Sequence, residues 1–321
     1  MPLTVALVGD TMLGRMVAEQ FGRRGARLLA ADVQELAARA DLFVANLECC
    51  LSDRGERVRV PGKPFFFRGP PAAADWLAEI GVHCVTLANN HALDFGPEAL
   101  LDTLDHLRAV GVAFVGAGGD EAEARAPASL EANGMRVRIV AVSDHPASYA
   151  ATPDRPGIAF ADLADAGVPS WLLDACAPGA CADVTIVLPH WGPNMRMSPV
   201  PHVRRAAAAL EQAGATLIAG HSAHVPQGPS GRTLFDLGDF IDDYAVDEAL
   251  RNDLGVLWLV TLDRDGPRRV EGVPLRLHFA HTRRTGPEDT RLLHSLLQQR
   301  CAAVGSSVRW EGDRFVFEPG S

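Results

Sequence analysis

The chain has 321 residues, 47% of them hydrophobic and 22% charged, with a formal net charge of −10. That length buries an ample core in one large domain or two modest ones, and the composition excludes intrinsic disorder. The acidic balance argues against duplex nucleic acid as a partner, and no apolar run approaches the roughly 20 residues of a membrane-spanning helix.

Along the chain, apolar runs of strand type alternate with segments whose apolar residues recur every three or four positions. A strand over 3–9 leads into Asp10, followed by helices over 12–21 and 32–40. A strand over 42–46 precedes Glu48, and a loop holding Lys63, three phenylalanines and Arg68 leads to a helix over 71–80. The strand 83–87 runs into Asn90 and His91, ahead of a helix over 96–109 with Pro97 in its first turn. Strands over 111–115 and 136–142 flank a short helix over 119–125, and residues 146–160 read as a surface loop bordering the site. A strand over 184–188 approaches His190, a helix over 202–213 stops at Gly214, and a strand over 215–219 precedes His221 and His224. Beyond about residue 230, strands over 233–237, 255–262 and 270–279 with Gly, Asp and Pro turns predict an antiparallel or mixed addition to the sheet. A last helix is predicted over 286–303, and a single domain over 1–321 is expected.

Five of the apolar runs stop on side chains that ligate metals: Asp10, Glu48, Asn90, His190 and the pair His221 and His224. Open α/β sheets hold ligands just beyond the carboxyl ends of their strands, so these endings point to one shared metal site. Taken singly, each has a plainer reading. Asp10 suits a turn or helix cap, Asn90 a turn, His190 a structural role, and the His-x-x-His pair a surface loop. Together they supply what a centre of one or two divalent ions needs: carboxylates for a shared position, with imidazoles and an amide oxygen for the rest. Such a set suits Mn, Fe, Co or Zn. His91, beside Asn90, is placed to act as a general acid. Asp94, three residues on, either orients that imidazole or caps a helix.

Other features have two readings each. Lys63 and Arg68 form either a recognition pair for phosphate or carboxylate oxygens, or solvent cations on a loop pinned by aromatic rings. Arg15 neutralises a carboxylate near the site or makes a plain salt bridge. Asp144 and His145 line the pocket or form a polar turn, and Trp191 is a substrate platform or a packing residue. The glycines at 116, 118 and 119 lack a further Gly where Glu121 stands, so they read as a helix-entry turn rather than a dinucleotide loop. No Gly-x-Ser-x-Gly elbow occurs. The six cysteines include no CxxC pair, and Cys176 and Cys181 either pair in an oxidising compartment or are free thiols in a reduced one. With no basic segment before the first apolar run, a cytoplasmic or trimmed extracytoplasmic location is expected.

The ordered motifs Gly-Asp10-Thr-Met-Leu-Gly-Arg15, Ala-Asn-Leu-Glu48, Lys63-Pro-Phe-Phe-Phe-Arg68, Asn-Asn90-His91-Ala-Leu-Asp94, His190-Trp-Gly, Gly-His221-Ser-Ala-His224-Val-Pro-Gln and Leu-Gly-Asp239-Phe resemble those of the CapA family. This is the bacterial capsule, or poly-γ-glutamate, synthesis protein family, related to the calcineurin-like metallophosphoesterases. The resemblance runs from residue 4 to about 244. It implies a four-layer α/β/β/α sandwich of the metallophosphoesterase type, on which the strands and helix of 255–321 pack. It also implies a metal site at the strand ends and a role in making, anchoring or trimming poly-γ-glutamate. The related phosphoesterases carry Asp-x-His where this chain has Asp10-Thr11-Met12. Family members often have His in place of Ser222, and usually Asn in place of Asp239. Asp239 is therefore expected to contact substrate, to add a metal ligand or to cap a turn.

The leading expectation is a metal-dependent hydrolase of this type, acting on a phosphoester or a γ-glutamyl amide. One or two divalent ions would activate water, and His91 would protonate the departing group. An anionic small molecule or polymer would meet Arg15, Lys63, Arg68, His145, Trp191 and Asp239. The rival expectation is a non-catalytic capsule assembly factor that keeps the fold, which the missing histidine at position 12 favours.

Overall fold

The computed structural model describes residues 2–24, 28–179 and 182–318. Among these, ten strands build a first sheet centred on Leu3–Thr11. On one side of that strand, Leu42–Leu47, Cys84–Thr86 and Ala113–Val115 follow in parallel. On the other side, Leu254–Asp263, Gly266–Leu277, Arg314–Glu318 and Ser307–Glu311 follow in antiparallel pairings. The addition expected after residue 230 is thus a mixed one. Asp239–Ile241 runs parallel to the end of Leu3–Thr11, while the later strands run antiparallel.

A second sheet holds six strands among the described residues. Its middle strands Met135–Ser143, Val184–His190, Leu217–Ala219 and Thr233–Leu234 are parallel. Ala128–Ala132 and Pro229–Ser230 close its two edges in antiparallel pairings.

The strands are apolar on both faces because both faces are covered. Leu3, Val5 and Leu7 point toward the second sheet and meet Val137, Ile139, Ile186 and Leu188 in one buried cluster. Their neighbours Ala6 and Val8 point the other way, onto Val33, Trp76, Leu77, Leu100 and Leu104 of the outer helices. On the far side, Val140, Val142, Val187 and Ile218 pack under Leu172, Val203, Ala207 and Leu210. The alternation with period two sorts each strand between two cores. The result is a four-layer α/β/β/α sandwich. Each fully buried Leu, Ile, Val or Phe contributes about 1.5–3 kcal/mol to it.

Several elements depart from the sequence reading in extent. The first helix runs Arg15–Arg24 rather than from residue 12, because Met12 and Leu13 are buried in the turn that leaves the strand. The strand predicted over 233–237 stops at Leu234, since Asp236 instead accepts hydrogen bonds from the Ala223 and Gly238 N–H groups. The helix Ser170–Cys176 and the hairpin strands Ser307–Glu311 and Arg314–Glu318 were not anticipated. The loop 146–160 is not wholly superficial: Tyr149 is buried in the core beneath the helices. Among the described residues no helix is long and apolar enough to cross a membrane. Cys49, Cys50, Cys84 and Cys301 are buried free thiols. Cys176 is also buried, and its suggested partner Cys181 lies outside the described residues.

Candidate metal centre

The strand ends of the two sheets converge. Asp10, on the central strand of the first sheet, lies against the loop that follows Leu217–Ala219 in the second. His224 Nδ1 is 3.0 Å from Asp10 Oδ2, and His221 Nδ1 is 3.4 Å from Asp10 Oδ1. His190 and His221 are joined by a parallel bridge, sealed by hydrogen bonds from Trp191 N–H to the His221 carbonyl and from His221 N–H to Pro189. Glu48 lies just past Leu42–Leu47, and its Oε1 is 3.9 Å from His91 Nε2. Asp239 Oδ1 is 2.8 Å from His224 Nδ1.

Several of these groups are buried without satisfaction. Neither oxygen of Glu48, neither nitrogen of His190, nor the Asn90 side-chain oxygen has a hydrogen-bond partner among the described residues. A folded chain normally pairs its buried polar atoms, because leaving one unpaired costs about 1–3 kcal/mol. Orphaned oxygens and imidazole nitrogens collected at strand ends fit a divalent cation in donor type and number. Asp10, His224 and Asp239 form a group whose ligand atoms all lie within 4.8 Å of one another.

Electrostatics follow from burial and crowding. Burial alone would raise Asp10, but His221 and His224 outweigh it and hold the carboxyl well below the usual range. Glu48 goes the other way, pushed up by burial and by the charge of Asp10. Burial also drives His190 down and keeps it neutral, which leaves a lone pair for a ligand bond. His224 resists its burial because Asp239 and Asp10 favour its charged form.

His91 sits one step from this group. Its Nδ1 is 2.6 Å from Asp94 Oδ2, so Asp94 orients the ring, and the helix cap expected as its alternative role falls to Phe95. Burial lowers His91 to about 4 against the pull of Asp94. Asp94 also accepts from the Phe67 N–H at 2.7 Å and the Tyr149 hydroxyl at 3.0 Å, and pairs with Lys63 Nζ at 3.0 Å. Phe67 stacks on the His91 ring, centroids 3.9 Å apart.

Beside the centre lies a cleft of about 310 Å³, whose walls include Arg15, Phe65, Phe67, His91, Met195 and Tyr244. Arg15 pairs with Asp243 at 3.3 Å and holds its guanidinium 5.4 Å from the Phe65 ring centre. The other sequence candidates stand further back. Lys63 is spent on Asp94 and the Asn90 carbonyl. Arg68 lies over Phe95 and donates to the Arg54 and Gly55 carbonyls. His145 bonds Asp144, with its ring 5.2 Å from that of His190. Trp191 is buried among the helices over the second sheet and donates to the Phe235 carbonyl at 2.9 Å.

Sequence reasoning assigned no role to Asn46, Asn89, Tyr149 or Asp236. Asn46 donates to Asp10 Oδ1 at 2.7 Å, and Asn89 donates to Asn46 at 3.0 Å while accepting from the His91 N–H. Two further asparagines at strand ends were the available signal for this relay. Nothing local marks Tyr149 or Asp236.

Residues 4–244 match the family described as bacterial capsule synthesis protein PGA_cap. A Mycobacterium tuberculosis protein named probable polyglutamine synthesis accessory protein is 33% identical over 296 residues, covering 86% of this chain and 76% of that protein. The capsule biosynthesis protein CapA of Bacillus anthracis is 28% identical over 253 residues, 75% of this chain and 60% of its own length. The PGA biosynthesis protein CapA of Bacillus subtilis is 26% identical over 285 residues, 87% of this chain and 72% of its own.

Proposed function

Because the chain belongs to the bacterial capsule synthesis family PGA_cap, we propose that it is a metal-dependent hydrolase serving the synthesis of a capsule-type polymer. The observation that carries this reading is the set of buried, unsatisfied donors of Glu48, Asn90 and His190 at the strand ends. Asp10, Glu48, Asn90, His190, His221 and His224 would hold one or two divalent ions of the Mn, Fe, Co or Zn type. When bound, such an ion supplies Lewis acidity and a water acidic enough to attack near neutral pH.

The chain's own groups do the rest. His91 donates its Nδ1–H to Asp94, which leaves the Nε2 lone pair facing Glu48 and the cleft. His91 is held neutral by burial, so it starts as a proton acceptor at Nε2. It takes there the proton that the attacking water gives up and passes it to the departing oxygen or nitrogen. The Asn89–Asn46–Asp10 relay fixes the Asp10 carboxylate, and Phe67 fixes the plane of the His91 ring. The substrate class is a phosphoester or a γ-glutamyl amide of an anionic small molecule or polymer.

The test begins with elemental analysis of protein purified without chelator or nickel, followed by hydrolysis assays with added Mn²⁺. We expect at least one bound ion per chain and turnover of an aryl phosphodiester or a γ-glutamyl amide. His91→Ala should cost about 10²–10⁴-fold in kcat. Protein that neither retains metal nor takes up Mn²⁺ or Zn²⁺ overturns the proposal. Metal binding without turnover on either substrate supports the second reading, a non-catalytic assembly factor. That reading is favoured by Lys63 and Arg68, whose hydrogen bonds and ion pair go to groups within the chain.

A further inference from the structure

We propose that Asp239 is itself a metal ligand, and that with Asp10 and His224 it forms an oxygen-rich half-site selecting a hard divalent cation such as Mn²⁺ over Zn²⁺. This rests on the metal-centre reading above and adds Asp239 to the ligands named there.

The backbone is built to bring the two carboxylates together. Asp239–Ile241 pairs in parallel with Leu3–Thr11, with Asp10 and Asp239 directly in register. Two glycines clear the way. A Cβ on Gly9 would lie 1.6 Å from the Gly238 carbonyl oxygen, and one on Gly255 would lie 2.6 Å from that of Asp239. The Asp10 N–H can then reach the Gly238 carbonyl at 3.0 Å. Like charges on directly opposed strand positions destabilise a sheet, so a buried Asp–Asp pair in register calls for a cation between its members.

His224 Nδ1 lies between them, 2.8 Å from Asp239 Oδ1 and 3.0 Å from Asp10 Oδ2, and His221 Nδ1 is 3.4 Å from Asp10 Oδ1. The ligand atoms of Asp10, His224 and Asp239 all lie within 4.8 Å of one another, close enough that one cation would reach all three. The other Asp239 oxygen, Oδ2, is buried with no hydrogen-bond partner among the described residues. No softer ligand comes from the adjoining strand end, because the Met12 sulfur accepts the Gly14 N–H at 3.0 Å within the helix-side core. Two carboxylates to one imidazole is a donor set for a hard cation.

The experiment is calorimetric titration of metal-free protein with Mn²⁺ and with Zn²⁺, read alongside the Mn²⁺ paramagnetic resonance signal, for the unmodified chain, Asp239→Asn and Asp10→Asn. Circular dichroism checks the fold of each metal-free variant. We expect both variants to bind Mn²⁺ at least about tenfold more weakly. Zn²⁺ binding should fall less, so the preference moves toward Zn²⁺. If Asp239→Asn matches the unmodified chain in Mn²⁺ affinity and stoichiometry, the assignment fails and the centre stands. If both ions weaken equally, the selectivity fails. If the unmodified chain takes up neither ion, centre and assignment fall together.

Discussion

At Asp94, four groups from three stretches of chain converge on one buried carboxylate: His91, Lys63, the Phe67 N–H and the Tyr149 hydroxyl. Removing it strands the Lys63 ammonium, whose side chain is only 10% exposed, without its counter-ion. Breaking a buried pair from one side costs about 3–5 kcal/mol, and Asp94→Ala should lose that much in urea unfolding. Lys63→Met in the same chain should recover part of the loss, because the stranded charge goes with it. At this scale the sequence was most readable where a strand ran straight into a side chain able to ligate metal. Asp10, Glu48, Asn90, His190 and His221 each follow an apolar run, and that run predicts both burial and position. The cations were less readable. Lys63 and Arg68 in a phenylalanine loop carry no local mark of whether their partner is a substrate, a carboxylate or a carbonyl. The loop holding Tyr149 reads as a Pro- and Ala-rich surface loop, although the fold packs its ring beneath the helices.

Among the elements, the pairing of Leu3–Thr11 with Asp239–Ile241 sets the tightest condition. The 1.6 Å approach at Gly9 meets backbone rather than a flexible side chain, so Gly9→Ala must push the two strands apart. We expect more than about 4 kcal/mol of destabilisation, measured as a drop in denaturation midpoint, with metal binding lost at the same time. A mutant that melts like the unmodified chain would show that the strands can separate freely. The Gly-Asp10 step was legible as a strand ending, but the need for glycine was not, because the contact is with a residue far along the chain. The same holds for element boundaries. Thr233–Leu234 stops short of its apolar pattern because Asp236 has other partners, Ala223 and Gly238, which only the assembled loops provide.

For the molecule as a whole, the family match ends at residue 244, while the central strand still lacks its second neighbour, Leu254–Asp263. The C-terminal helix Pro287–Ala302 also reaches the centre indirectly: buried Arg300 donates to the Pro226 carbonyl, two residues beyond His224, and to that of Leu250. We therefore expect a chain cut after residue 253 to be insoluble or molten, as judged by near-ultraviolet circular dichroism and size-exclusion chromatography. Native-like behaviour of that fragment would refute the dependence. Apolar runs on both faces of the strands marked them as buried, whereas the layer order came from the family resemblance. The hairpin Ser307–Glu311 and Arg314–Glu318 was not, because its strands alternate with exposed charges that also suit a loop. The position of Leu3–Thr11 has a consequence for synthesis on the ribosome. Val5 pairs with Leu42, reached early, and its other flank waits for Val260, translated near the end. Through most of translation the nascent chain presents an apolar strand with one open edge, so closure of the first sheet is a late event and nascent chains need shielding until it occurs.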